Sequence, residues 1–449
     1  MIKSPLKFAG AIILFLFMGL HEVKAQDDTL FLDLESAINL ALEQNQNIRV
    51  ATLEMERAQA RLNESRGRLL PTLQAMSSYN RNIKKPVIFL SDEMAVAFGS
   101  NTLEIGADNS FMGALSVSMP IFNPAINSGI EMSRTEMLVA GENYRASKID
   151  LTYNVQRVWF DALLARESLE IIRLSFDNAQ RNYENIRQLF YQGLVAEFDL
   201  IRAEVQTENI RPEVLQAENM YVMVKSVLKT LLGVDQNRPI AIGGNLTETS
   251  DQMLASFNIM QAERSLIRNS QLVGLDLQHQ LLVQRSGSLR ASRAPSINAM
   301  SNYNYQTESD DFRFQDFNWV NTIAAGIQVN IPIFAGLTNR NQIKQLDIGA
   351  RQVKLQKEYL ENNLNVELEN ILNSMNVAVE RAIHSERNVE MAQRGYDIAL
   401  VRYNSGQGTL LEVNDSEVAL TRARFNLLQA RHQILNQKIL YDRFIGGDQ

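Results

Sequence analysis

Glu412 and Asp415 stand three residues apart in a helical stretch, so both carboxylates share one helix face. Asp199 occupies the equivalent place 213 positions earlier, and Tyr403 lies just before the turn that precedes Glu412. A face of this kind near a constriction repels its own kind, holds cations and can gate a passage. The same residues admit a second reading. Thr409-x-x-Glu412 is a capping-box pattern, and acids are favoured at helix starts in any case. Both readings stand at the level of sequence. Catalytic constellations are missing: the four histidines (His21, His279, His384, His432) lie far apart, and no HExxH, P-loop or GxSxG motif occurs. With no cysteine there is no disulfide, no thiolate metal site and no cysteine to carry a lipid. The residues call for no cofactor and no metal, and they describe no enzyme.

The elements that must position those acids repeat. Val117–Phe122 reads VSMPIF, and 212 positions later Val329–Phe334 reads VNIPIF. From Leu151 to Phe190, twelve positions stepping by four and three are apolar; eleven of their counterparts 213 positions later, Leu364 to Tyr403, are apolar too. The chain is one unit written twice, and each copy holds a very long coiled-coil helix. Residues 26–232 form the first repeat, 233–250 an inter-repeat linker with Pro239 and Gly243-Gly244, and 251–449 the second repeat.

Residues 1–25 read as a signal peptide: Lys3 and Lys7, the apolar run Phe8–Leu20, then Val23 and Ala25 before Gln26. Losing three lysines and one glutamate with it takes the formal charge from −7 to −9. A mildly acidic chain without basic blocks argues against a nucleic-acid partner.

The helices are expected at about 34–69, 125–191, 196–232, 251–293, 337–404 and 409–444. The second would span on the order of 100 Å at 1.5 Å per residue. Gly193, Gly406 and Gly408 break the long helices, and Gly193 and Gly406 supply left-handed turns between antiparallel partners. Pro212 is expected to bend the third helix. Strands are expected at 72–82, 111–122, 296–306 and 321–334, with turn-rich loops at 83–109 and 307–320. Most are about 11 residues of alternating character, the length of a tilted outer-membrane strand. Tyr79, Tyr303, Tyr305 and Trp319 lie near strand ends, as in an interfacial aromatic girdle. Four strands cannot close a barrel, and an open edge in lipid is not tolerated, so further copies must complete it: two chains give eight strands, three give twelve. The fold class is a mixed α+β membrane protein, an antiparallel coiled-coil barrel of helices continued by a transmembrane β-barrel. The competing architecture is a soluble coiled-coil bundle with hairpin inserts.

Several stretches resemble the TolC-like outer membrane efflux proteins: Leu69–Leu73 at a helix-to-strand junction, Val329–Gly336 at a strand-to-helix exit, Val158–Ala165 in the long helix, and Gly193–Leu200 with Tyr403–Val413 at the two helix-turn tips. The resemblance covers nearly the whole chain in order. It implies a homotrimer with a twelve-stranded barrel and a twelve-helix tunnel, set in the outer membrane of a Gram-negative-type envelope and reaching into the periplasm. It also implies tips that dock a periplasmic adaptor, with an inner-membrane transporter engaged indirectly. The function expected is a passive exit duct for efflux or type I secretion; a periplasmic coiled-coil adaptor is the alternative, and an exported hydrolase is remote. The tip gate would comprise Asp199, Tyr403, Glu412 and Asp415, with a Tyr403–Asp199 hydrogen bond. Where the family's closing contacts often use an arginine, this chain has Gly408, which argues against an inherited salt-bridge lock.

Overall fold

A computed structural model describes residues 29–447; the leader reading of residues 1–25 falls outside them. The chain divides into two compact units. One holds residues 29–45, Leu151–Ala262 and Asn373–Leu440; the other holds Gln46–Asp150, Glu263–Leu372 and residues 441–447.

The second unit is built on an antiparallel sheet of β2 (Thr72–Arg81), β5 (Asn109–Phe122), β7 (Ser296–Ser309) and β8 (Val320–Asn330), in the order β2-β5-β7-β8. Alternation in strands separates its faces. Pairing of Leu73 with Val117, Leu115 with Tyr303 and Tyr303 with Ile323 sets one apolar face. The other carries Gln74, Met76, Ser116, Asn302, Asn304 and Gln328, amides, hydroxyls and thioethers, with one charge, Glu308, at the end far from the helix junctions. Among the described residues, both outer strands, β2 and β8, keep a free edge. The two proline phrases fold differently. Pro120 stays inside β5, where the pairing shifts between Pro120 and Phe122, whereas β8 ends at Asn330, so the expected strand to 334 is shortened before Pro332. A proline has no N–H for the ladder, and a bulge or a strand end accommodates it.

The loop at 83–109 is more ordered than expected. β3 (Val87–Phe89) pairs antiparallel with β4 (Thr102–Glu104), and α3 (Asp92–Phe98) joins them, closing at Gly99.

The helices begin with a correction. The single helix expected at 34–69 is α1 (Leu34–Gln44) and α2 (Gln46–Gly67), because Asn45 takes an extended conformation (ψ 131°) and its Nδ2 donates to the Leu231 carbonyl at 2.9 Å. The helix expected at 251–293 is also divided, into α6 (Leu246–Ser256), a short 3₁₀ turn at Ile259–Gln261, and α7 (Ser270–Ala291). Asparagines make both new starts: Asn258 Oδ1 accepts from Met260 N, and Asn269 Oδ1 from Gln271 N and Leu272 N. The segment 233–250 contains β6 (Ile240–Ile242), which pairs in parallel with β1 (Leu30–Leu32). The long helices fall where expected: α4 (Pro124–Tyr191), α5 (Glu197–Leu232, continuous through Pro212), α8 (Thr338–Asn404) and α9 (Leu410–Ile445). None of the twelve seam positions in α4, nor their twelve counterparts in α8, is exposed. Val155, Ala162, Leu368 and Met375 are fully or almost fully buried.

Candidate functional site at the helical tips

The two helix-to-helix turns are the same object twice. At the first, Gly193 N donates to Phe190 O at 2.9 Å and Leu194 N to Leu189 O at 2.9 Å. At the second, Gly406 N donates to Tyr403 O at 3.0 Å and Gln407 N to Arg402 O at 2.9 Å. Every partner is displaced by 213 positions. Gly193 and Gly406 have φ of 73° and 74°, the left-handed conformation that costs a side chain steric energy. Ile186, Ala203 and Leu410 form a small buried core there, with Tyr183, Val195, Leu200 and Tyr403 packed around it. Residues of α4, α5, α8 and α9 thus converge, and the turns position Asp199 and Glu412 in equivalent first turns.

The turns differ in what closes them. Ala196 precedes α5 and has no side chain to cap it. Thr409 precedes α9, and its Oγ1 accepts from Glu412 N at 3.3 Å. That is half of the expected capping box. The Glu412 carboxylate turns away, to Arg402, with Oε2 3.5 Å from Nη1, while Arg402 Nη2 donates to Gln407 O at 3.1 Å. Gly408 makes this possible: a Cβ there would sit 3.1 Å from Glu412 Oε2, Arg402 Cβ and Tyr403 N. The arginine of the turn is therefore supplied by Arg402, which sequence reasoning passed over because its partner lies across the turn. Asp415 is exposed. Tyr403 is half-buried, which raises its phenol pKa; the charge of Asp199 pushes it the same way. The expected Tyr403–Asp199 hydrogen bond does not occur among the described residues, so Asp199 acts on the phenol as a charge.

Glu417 is a second residue the sequence reading missed. It is 6 % exposed, and burial holds its carboxyl above the usual glutamate range, with Asn178 and Ser175 of α4 pulling it partly back. Its Oε1 has no partner, and its charge bears on Tyr396 of α8. The signal was legible: Leu410, Val413, Glu417 and Leu420 step by three and four, which puts an acid in an apolar stripe. Elsewhere, His432 Nε2 lies 2.8 Å from Asp161 Oδ1 and 3.1 Å from Asn436 Nδ2, and among the described residues no cluster of three metal-ligating side chains forms. Among them, too, no helix is long and apolar enough to cross a membrane.

Long helices joined at glycine tips, and a sheet with one apolar and one mostly uncharged polar face, are the architecture of an envelope channel subunit. The model of the family described as "Outer membrane efflux protein" matches residues 37–234 and 261–447, and the chain belongs to that family. The chain is 21% identical over 433 residues to the outer membrane protein TolC of Vibrio cholerae, covering 92% of this chain and 90% of that protein. It is 25% identical over 430 residues to the cation efflux system protein CusC of Escherichia coli O157:H7, covering 93% and 87%. A crystal structure of CusC superposes with a TM-score of 0.73 at 22% identity, covering 94% of each chain. The family is one of transport ducts in the outer membrane of Gram-negative-type envelopes, and the chain is a member of it by sequence and by fold.

Proposed function

We propose that three copies of this chain close a twelve-stranded barrel in the outer membrane and continue it as a helical tunnel toward the periplasm. The duct is passive; a periplasmic adaptor docks at its tips, and an inner-membrane transporter working through that adaptor supplies energy. Residues 26–232 and 251–449 act as two copies of one hairpin unit joined by 233–250. The observation that carries the reading is the four-stranded sheet with one apolar face and two free edges. Backbone edges are not left open in lipid, so a neighbour's strand must complete each of them. The apolar face then meets lipid, the polar face with Glu308 near its outer end lines the lumen, and Tyr79, Tyr305 and Trp319 lie at one rim. Native mass measurement of the detergent-solubilised protein is expected to give a trimer. A monomer that stays soluble without detergent would sink the proposal.

At the periplasmic end, Asp199, Tyr403, Glu412 and Asp415 form the gate. Gly193, Gly406 and Gly408 shape the turns that the adaptor grips, beside the exposed Tyr191, Leu194 and Phe198. Arg402 holds Glu412 within its own chain, and docking spreads the acids of the three chains. Neutralising the pair with Glu412→Gln and Asp415→Asn is expected to weaken cation selectivity in planar bilayers; unchanged selectivity with lowered thermal stability would assign both residues to capping alone.

A further inference from the structure

The segment between β2 and β5 has an organised backbone and a bare surface. It is tied down on one side. Asn82 N donates to Asp108 O, and Asn82 Nδ2 to Ala107 O, each at 2.8 Å. Lys85 Nζ donates to Asp310 Oδ1 at 2.6 Å and lies 3.5 Å from Asp108; Asp108 N also donates to Asp310 Oδ1 at 2.9 Å. These bonds join the segment to its own chain's other loop, 310–319. Its apolar side chains are nevertheless uncovered: Ile83 is 100 %, Phe89 79 % and Val96 86 % exposed, with Ile88, Met94 and Phe98 also exposed. A mini-fold of this kind buries none of its large apolar groups, and a patch of this extent marks an interface.

The topology names the occupant. β2 is a free edge and leads directly into this segment; β8 is the other free edge and is entered directly from loop 310–319. β2 runs away from the helix junctions and β8 runs back toward them, so the two edges are antiparallel when neighbouring chains meet. Closing the ring brings the 82–108 segment of one chain beside the 310–319 loop of the next. That loop is aromatic. Phe317 packs 5.3 Å from Phe111 and 5.0 Å from Phe314, and Trp319 stacks on Tyr305 at 4.7 Å. Its members Phe312, Phe314 and Trp319 remain exposed, as does Val320 at the start of β8. We propose that the apolar 82–108 segment docks on the aromatic 310–319 loop of the adjacent copy, forming a head-to-tail collar at the outer rim that locks the closed barrel. The proposal rests on the trimer reading and adds to it a contact that the strands alone do not require.

The chain has no cysteine, so introduced thiols have no competitors. Two tagged chains are co-expressed, one with Phe89→Cys, Val96→Cys or Phe98→Cys and the other with Phe314→Cys, and native mass first establishes the trimer. Expected is a dimer-sized, reductant-sensitive band containing both tags for at least one pair. Replacing residues 87–104 by a Gly-Ser turn should leave a trimer that dissociates at a lower temperature. A nitroxide at Val96→Cys should be shielded from both oxygen and aqueous nickel. The collar is overturned if the trimer forms and no pair cross-links. It is also overturned if the label is open to oxygen, which would mean lipid, or to nickel, which would mean water. A monomer in native mass would instead overturn the trimer reading itself.

Discussion

Arg402 and Glu412 make opposite charges of one exposed pair, and that allows a test of the gate that capping cannot imitate. Arg402→Gln and Glu412→Gln both break the same contact, 3.5 Å long with both side chains about half exposed. An exposed pair of this kind contributes about 0.2–1 kcal/mol per chain, so either variant should lower thermal stability by a similar, small amount. Their effects on ions differ in sign. In the proposed trimer, Arg402→Gln removes three positive charges from the proposed entrance and Glu412→Gln removes three negative ones. A unit charge about 10 Å away in water contributes about 0.4 kcal/mol, and salt near 0.1 M reduces this to roughly a third. Three together give about 0.4 kcal/mol, close to a twofold change in local cation concentration. Reversal potentials in a KCl gradient across a planar bilayer should therefore shift toward stronger cation selectivity for Arg402→Gln and toward weaker for Glu412→Gln. If both variants shift the same way, or neither shifts while both lose stability, Glu412 does not line the conduit and the gate assignment fails.

Glu417→Gln addresses the buried acid. A carboxyl whose folded pKa is raised contributes stability that is full below the ordinary glutamate range and is lost as pH rises through the folded value. The wild type should lose thermal stability across that window, and the variant should show a flatter profile; equal slopes in melts from mildly acidic to neutral pH would show that Glu417 does not titrate there. In the seam, Val155→Asp and Leu368→Asp each bury an unpaired charge at equivalent positions and should cost several kcal/mol, with loss of the proposed trimer on native gels. Phe176→Asp should cost less, because the Arg211 guanidinium already lies 5.3 Å from that ring and would meet the new carboxylate. Gly193→Ala and Gly406→Ala meet no neighbouring atom and should each cost about 1–2 kcal/mol from the left-handed backbone alone. A much larger loss at one of the two in thermal denaturation would mean that the turns are not equivalent.

Local pattern carried most of the fold. The strands announced themselves through alternation and length, the seam through steps of three and four, and the tips through glycines 213 positions apart. What escaped depended on distant partners. Asn45 breaks a helix because Leu231 offers it a carbonyl, and three residues at Leu30 become a strand because Ile240–Ile242 lies alongside. The divided second-half helix was partly readable, since Asn258 and Asn269 are ordinary cap residues in a stretch whose apolar steps were weak. At the tip, Gly193, Gly406 and the acids were visible from spacing. Arg402 was not, because nothing in its local sequence says that Gly408 leaves room for its guanidinium beside Glu412.

The unequal caps of the two turns divide the tip into a stiff and a loose half. Thr409 satisfies an amide at the start of α9, while Ala196 leaves the start of α5 to backbone contacts such as Asp199 N to Ala196 O at 3.1 Å. A missing side-chain cap is worth about 1 kcal/mol, roughly a fivefold difference in how often the first turn frays. Around the proposed ring of three chains, six helix starts would then alternate between pinned and fraying. Amide protons near Asp199 would exchange with solvent sooner than those near Glu412, and an arriving adaptor would find three yielding footholds between three fixed ones.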